Sequence, residues 1–284
     1  MIDYRGTTAL VTGASAGLGA EFARQLAARG ANLILVARRA DRLDALKSDL
    51  ESRHATTVTP ITTDLTAPGA ASSLADEIRM RGLPVHSLIN NAGFGTHNHF
   101  ADETAAQIHD EVMLNVTVVV DLTKAFWPEL IGHGDGVLVN VASAAAFQPI
   151  PKMAIYGATK AFVLSFTEAL WYEAKHARPA AADPGGAASA ATSPRDRPRQ
   201  ALKVLALCPG ATETEFFDTS GPGARIGKTA DPAAVIRLAL ATLDRRNPPP
   251  SVIHGFANRA QVWSERLISR RLLVTAAGSL TKSR

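Results

Sequence analysis

The feature that most constrains this chain is a rhythm in its apolar residues. Short apolar runs alternate along the chain with longer segments whose apolar residues recur at helical spacing. Thr8–Thr12 (TALVT) reads as a strand. It is followed by a glycine-rich turn and a helix with Leu18, Phe22 and Leu26 on one face, which Gly30 is placed to end. Residues 32–37 (NLILVA) make a second strand without polar alternation, so both of its faces should be buried. The pattern continues with a helix bearing Leu43, Leu46 and Leu50, strands at 57–62 and 87–90, and a long helix carrying Leu114, Val118, Leu122 and Phe126. Next come a strand at 136–141, a helix over 156–176 with Phe162, Phe166 and Leu170, and a strand at 202–207. Asp231-Pro232 caps a last helix running to Leu243, and Val252-Ile253 suggests a short seventh strand. Strands alternating with helices require parallel strands joined by right-handed crossovers, with helices on both faces. The expected class is α/β with a doubly wound, mainly parallel sheet in a single domain. Ligands of such sheets bind outside the carboxyl ends of the strands.

Two segments break the rhythm. Residues 177–200 contain four prolines and no aliphatic side chain larger than alanine. Such a stretch buries too little to offset its ordering entropy, so it is expected to be a flexible, dispensable insert within a main domain of residues 1–254. Residues 255–284 are expected to form a basic, helical C-terminal extension. They hold six basic residues against one acid, a charge of +5 in a chain whose net charge is +4. The body therefore has no basic excess and is not expected to bind nucleic acid. If 256–274 is one helix, Phe256, Ala260, Trp263, Leu267 and Val274 fall on a stripe flanked by Arg259, Arg266, Arg270 and Arg271. Such a stripe can cap the protein's own core or a subunit contact. It can also rest on an anionic membrane surface, as a peripheral contact that delivers an apolar substrate. No apolar run approaches the roughly 18 residues of a spanning helix. The opening residues lack a signal-peptide layout, and the single cysteine, Cys208, excludes an internal disulfide. A cytoplasmic setting is the expectation.

Three groups of residues carry chemistry. Thr12-Gly13-Ala14-Ser15-Ala16-Gly17-Leu18-Gly19 lies between a strand and a helix. Its glycines allow a tight turn, and the free N–H groups of the helix start can face a pyrophosphate. At the end of the second strand, where a carboxylate usually holds a free ribose 2′-OH, the chain has Ala37 followed by Arg38 and Arg39. Two guanidiniums suit a 2′-phosphate and therefore NADP(H); the competing reading is a solvated pair facing Asp41 or Asp44. Tyr156 and Lys160 share a helix face one turn apart, with Ser143 upstream of them. An ammonium about 4 Å from a phenol contributes ~4 kcal/mol at an effective dielectric of ~20, enough to depress the phenol's pKa by about three units before desolvation. Tyr156 could then exchange a proton with a carbonyl or alcohol oxygen that Ser143 also hydrogen-bonds. Cys208 is expected to be a packed thiol, and His97 and His99 without further ligands do not make a metal site.

Taken in this order, these residues resemble the short-chain dehydrogenase/reductase family over about residues 5–254. Asn90-Asn91-Ala92-Gly93, Asn115, the pair Asp64-Leu65, and Pro209-Gly210 with Thr212 and Thr214 match further family motifs. The resemblance implies a Rossmann-type fold, with Ser143, Tyr156, Lys160 and Asn115 catalytic. It also implies that Lys160 binds the nicotinamide ribose and that Asn115 anchors a water in a proton relay. Asp64 and Leu65 would line the adenine, and the loop from Pro209 to Thr214 would meet the carboxamide. A homodimer or homotetramer is implied as well. The expected function is NADP(H)-dependent hydride transfer to or from a small-molecule carbonyl or secondary alcohol. Phe216, Phe217 and Pro222 in an expected lid at 216–228 point to a lipophilic substrate. The alternatives are a non-catalytic cofactor-sensing or scaffold protein on the same fold, and an epimerase or dehydratase using the same Tyr/Lys pair. Presence of both Tyr156 and Lys160 disfavours the first, and the lack of a large second domain disfavours the second.

Overall fold

The computed structural model describes residues 1–177, 201–224, 229–265 and 268–282. Its strands are β1 (Thr8–Thr12), β2 (Asn32–Ala37), β3 (Val58–Thr62), β4 (Ser87–Asn90), β5 (Val137–Val141), β6 (Lys203–Cys208) and β7 (Ser251–Ile253). All pair in parallel in one sheet of order β3-β2-β1-β4-β5-β6-β7. Strand order reverses between β1 and β4, which opens a crevice at their carboxyl ends. This is the Rossmann-type, doubly wound single domain that the sequence predicts.

The apolar strands face two cores by simple alternation. Ala9, Val11, Leu33, Leu35, Val137 and Val139 point to one side, where α1 (Gly17–Ala27) and α2 (Ala40–Arg53) supply Phe22, Leu26, Leu43 and Leu50. Leu10, Ile34, Val36 and Leu138 point to the other, against Leu74 and Ile78 of α3 (Ala70–Met80). Both faces being covered is why β2 lacks a polar residue in every second place. Sequence reading passes over α3 because its buried face is half alanine (Ala71, Ala75) and it starts at Gly69, which offers no side-chain cap.

The long helix expected through Leu114 and Phe126 is two helices, α4 (Ala105–Val112) and α5 (Val118–His133), joined by a π-helical turn at Met113–Thr117. The widened turn carries Asn115, which is fully buried and bonds outward to another segment. α6 (Ala154–His176) runs beside β6. After β6 come α7 (Phe216–Ser220) and α8 (Pro232–Leu243), the latter capped by Asp231, whose carboxylate accepts from Ala233 N at 2.9 Å.

The tail is not one helix over 256–274. It forms α9 (Phe256–Glu265) and α10 (Arg270–Lys282), the second begun by Ser269, whose Oγ accepts from Leu272 N. Phe256, Ala260 and Trp263 of the expected stripe lie exposed, whereas Val262 and Ala277 are buried. Leu267 and Arg266 lie outside the described residues, as does the insert from 178 to 200. No helix among the described residues is long and apolar enough to cross a membrane.

Candidate active site

The crevice is built first from backbone. Gly13 and Gly17 have φ of +65° and +53°, conformations that side chains rarely adopt. A Cβ on Gly13 would lie 2.9 Å from the Ala92 Cα, and one on Gly19 would lie 2.3 Å from the Gly13 carbonyl oxygen. The turn is thus folded tightly against the segment that follows β4. Thr12 ties the two together: its Oγ1 accepts from Asn91 N and Ala92 N, each at 3.0 Å. Asn91 Nδ2 returns the contact to Thr12 O at 2.9 Å and Gly13 O at 3.3 Å. Ala16 precedes α1 without a side-chain cap, and the first turn of α1 contains no acid. The first N–H groups of α1, from Gly17, Leu18 and Gly19, are left for an anion that this backbone can approach closely.

The charges around that turn come from distant segments. Arg39 donates from Nη2 to Ser15 Oγ at 3.0 Å and from Nη1 to Glu215 Oε2 at 2.8 Å. Arg42 pairs with the other oxygen of Glu215. Arg38 is exposed and near enough to Asp64 to help hold its carboxyl below the usual range, after the hydrogen bonds from Thr66. Asp64 Oδ1 accepts from Thr66 N at 3.0 Å, and Leu65 beside it is buried. The loop after β6 closes the far wall. Pro209 O accepts from Ala144 N at 2.8 Å, Thr212 Oγ1 donates to Gly210 O at 3.0 Å, and the Thr214 methyl packs over Gly17. Asn258 of α9 fills the space beside Gly210, where a Cβ would come within 2.2 Å of it. The tail therefore contacts the site through Asn258, off its expected stripe.

Beyond the crevice, Ser143, Asn115 and the α6 pair Tyr156 and Lys160 converge from three segments. The Ser143 hydroxyl hydrogen-bonds the Tyr156 phenol, while its oxygen accepts from Ala145 N at 3.0 Å. Lys160 is buried, donates to Val141 O at 2.9 Å and places its ammonium 5.7 Å from the Tyr156 ring centre. Asn115 Nδ2 donates to Phe94 O at 2.8 Å and to Thr159 Oγ1 at 3.1 Å, and its Oδ1 accepts from Phe94 N at 3.2 Å. Gly93 passes between Asn115 and Lys160, where a Cβ would stand 2.8 Å from Asn115 Oδ1.

The electrostatics differ from the sequence argument in one respect. Burial pushes the Tyr156 phenol up to about 12, partly offset by Ser143 and reinforced by Glu111. Burial also lowers Lys160 to about 8, against the opposing pull of Glu111 and Cys208. Burial dominates both groups, and the ammonium's hydrogen bond goes to the Val141 carbonyl and not to the phenol. Cys208 is fully buried, and desolvation pushes its thiol up to about 12, as suits a packed residue.

The mouth of the site is aromatic. Tyr156 and Phe216 rings lie 5.2 Å apart, and a Cβ on Gly95 would sit 2.6 Å from the Tyr156 ring. Gly223 approaches His97 from the start of the expected lid, of which 225–228 lie outside the described residues. Sequence reading misses Thr159, Glu111 and Glu215, and the bonds by which Thr12 holds Asn91 and Ala92. It also misses a buried amide pair, in which Asn90 Nδ2 donates to Asn140 Oδ1 at 2.9 Å and Asn140 Nδ2 to Thr167 Oγ1 at 2.9 Å, joining β4 and β5 to α6. Each acts across the fold, so spacing along the chain carries no trace of it.

The family model for short chain dehydrogenase matches residues 7–200. A very-long-chain 3-oxoacyl-CoA reductase of Phaeosphaeria nodorum is 36% identical over 176 residues, covering 60% of this chain and 51% of the relative. The chain spans about half the length of the curated relatives it matches. A short-chain dehydrogenase from Sphingobium yanoikuyae, solved in complex with NADPH, is 32% identical with a TM-score of 0.74, over 92% of this chain and 94% of that one. The bulky-bulky ketone specific alcohol dehydrogenase from Comamonas testosteroni is 30% identical with a TM-score of 0.71, over 92% of each chain.

Proposed function

The chain belongs to the short chain dehydrogenase family, and on that premise we propose that it is an NADP(H)-dependent oxidoreductase acting on a lipophilic ketone or secondary alcohol. The observation that carries the reading is the convergence of Ser143, Tyr156 and Lys160 beside a glycine turn whose helix start carries no side-chain cap. The cradle fits a dinucleotide: Gly13 and Gly19 let the turn pack tightly on Ala92, Asn91 and its own backbone where a Cβ would clash, the start of α1 carries no side-chain cap, and Ser15 and Arg39 stand at its phosphate end. Gly13, Ser15, Ala16, Gly17, Leu18 and Gly19 would hold the pyrophosphate, with Asp64 and Leu65 at the adenine side. Asn91, Ala92, Gly93, Pro209, Gly210, Thr212 and Thr214 would wall the nicotinamide side. The bound cofactor supplies or removes the hydride. Tyr156 holds the proton that goes to the substrate oxygen, and Ser143 orients that oxygen by hydrogen bonding. Lys160, buried beside the phenol, stabilises the phenolate left behind.

Tyr156→Phe is expected to lower kcat for a bulky ketone by about 100-fold or more with NADPH still bound. Near-wild-type turnover would remove Tyr156 from the mechanism. Titration should show tighter binding of NADPH than of NADH, by roughly 10- to 150-fold for one charge-assisted phosphate contact. Equal affinities would refute the cofactor assignment.

The exposure of Phe256 (80%) and Trp263 (72%) favours a second element of this reading. These rings, with Arg259, Arg270 and Arg271 on the same two helices, would rest on an anionic lipid surface from the cytoplasmic side. Co-sedimentation with anionic vesicles at low salt tests this. Protein that stays in the supernatant, and associates with further copies of itself, would assign the rings to a homo-oligomer contact instead.

A further inference from the structure

Glu111 is a carboxylate with no solvent exposure in the wall of the site, at the end of α4 and one turn before Asn115. Its Oε2 lies 3.1 Å from Thr96 Oγ1, and its Oε1 is buried without a hydrogen-bond partner. The same Thr96 hydroxyl is hydrogen-bonded to Glu103 Oε1, and Glu103 is partly exposed. A hydroxyl has one proton. It can donate to one of these two carboxylates, and the other contact is a hydrogen bond only if that carboxyl carries a proton of its own. The geometry of the trio therefore calls for a shared proton.

α4 packs against α6, and the charged groups facing Glu111 are Glu103 from the loop before α4 and Lys160 from α6; the Tyr156 phenol on α6 feels its charge as well. We propose that Glu103, Thr96 and Glu111 form a proton reserve that connects solvent to the Lys160–Tyr156 pair, with Glu111 as its inner, positioning residue. The inference rests on the roles given above to Tyr156 and Lys160. In the reduction direction a proton leaves the Tyr156–Lys160 pair for the substrate oxygen, and Glu111 gives up its carboxyl proton to restore the pair. Glu103 then takes a proton from solvent and passes it to the Thr96 oxygen as the Thr96 hydroxyl hands its own proton to the Glu111 carboxylate, which restores the starting state. Each transfer breaks one O–H bond and forms one O–H or N–H bond, and no oxidant or reductant is needed. Burial, reinforced by Glu103 and partly offset by Thr96 and Lys160, lifts Glu111 to about 7, where it exchanges its proton near neutrality.

Two readouts test the inference. The first needs no turnover. Near pH 6 the infrared spectrum of the wild-type protein should contain the C=O stretch of a buried protonated carboxyl, and Glu111→Gln should remove it. If no such band is present, or if it survives in the variant, the reserve does not exist. The second is the pH profile of kcat for ketone reduction. Glu111 raises the pKa of Lys160, so Glu111→Gln should move the alkaline limb to lower pH by about one unit. A variant of wild-type melting temperature with an unmoved limb would overturn the coupling, while Tyr156→Phe separately tests the assignment it rests on. Should Glu111→Gln fold poorly, Glu103→Gln at the partly exposed end should leave the infrared band in place but raise the solvent isotope effect on kcat. An unchanged isotope effect there would break the link to solvent.

Discussion

Replacing Glu215 with glutamine should tighten NADPH binding, an unusual direction for a change beside a binding site. Glu215 faces Arg39 at 2.8 Å and pairs also with Arg42. Both arginines depress its carboxyl, Arg42 first, so it is ionised throughout the neutral range. A 2′-phosphate seated on Arg39 must share that guanidinium with the Glu215 carboxylate. The side chains of Arg39 and Glu215 are each 41% exposed and that of Arg42 is 45% exposed, so solvent screens these pairs. Exposed pairs contribute about 0.2–1 kcal/mol each. Relief of the competition for Arg39 should therefore be worth roughly 0.2–1 kcal/mol, or about 1.4- to 5-fold in Kd. NADH has no 2′-phosphate and should bind both proteins alike. Isothermal titration of NADPH and NADH into wild-type and Glu215→Gln protein, at low salt and at about 0.5 M salt, measures this. The gain should shrink at high salt, where charges interact over only a few ångströms. If Glu215→Gln binds NADPH no tighter than wild type, or if NADH gains equally, then Arg39 does not receive the phosphate and Glu215 only anchors its loop.

Three further outcomes follow from the packing. Gly19→Ala should weaken NADPH binding at least about ten-fold, since the added Cβ meets the Gly13 carbonyl at 2.3 Å and backbone must shift; a titration giving wild-type affinity would show that the turn has slack. Phe126 is completely buried in the core under α3 and α5, so Phe126→Ala should cost about 3–5 kcal/mol in a denaturant melt, and a loss under about 1 kcal/mol would mean that this core collapses to fill the gap. Glu111 has its folded pKa raised from 4.5 to about 7, so its stabilising contribution is full below about pH 4.5 and lost as pH rises through 7. The stability of Glu111→Gln relative to wild type, read from melts across pH, should therefore rise between pH 5 and pH 8 by on the order of 3 kcal/mol at most; parallel curves would mean that Glu111 titrates normally.

What could be read from the sequence was what is local in it. Tyr156 and Lys160 lie one turn apart, the glycine turn sits between one strand and one helix, and β2 is a single apolar run, so elementary periodicities reach all three. The π turn at Met113–Thr117 escapes the same periodicities, because one widened turn leaves Leu114, Val118 and Leu122 in step on either side of it. The tail was read as one stripe because Ser269 looks like any polar residue within a helix until its hydroxyl is seen capping α10. The remaining omissions share a different cause. Glu215 meets Arg39 across 176 positions of chain, and Asn90 meets Asn140 across 50. Such contacts exist only because parallel strands deliver their carboxyl ends to one edge of the sheet. The backbone pattern thus specifies where a site must form, whereas its charges are set by loops that the pattern treats as interchangeable. In this chain the loop after β4 brings Thr96 to Glu111, and the loop after β6 brings Glu215 to Arg39. Two carboxylates are thereby placed where the Rossmann-type framework itself requires none, one beside Lys160 and Tyr156 and one beside Arg39 and Ser15, and the individuality of this protein is to be sought in those two loops.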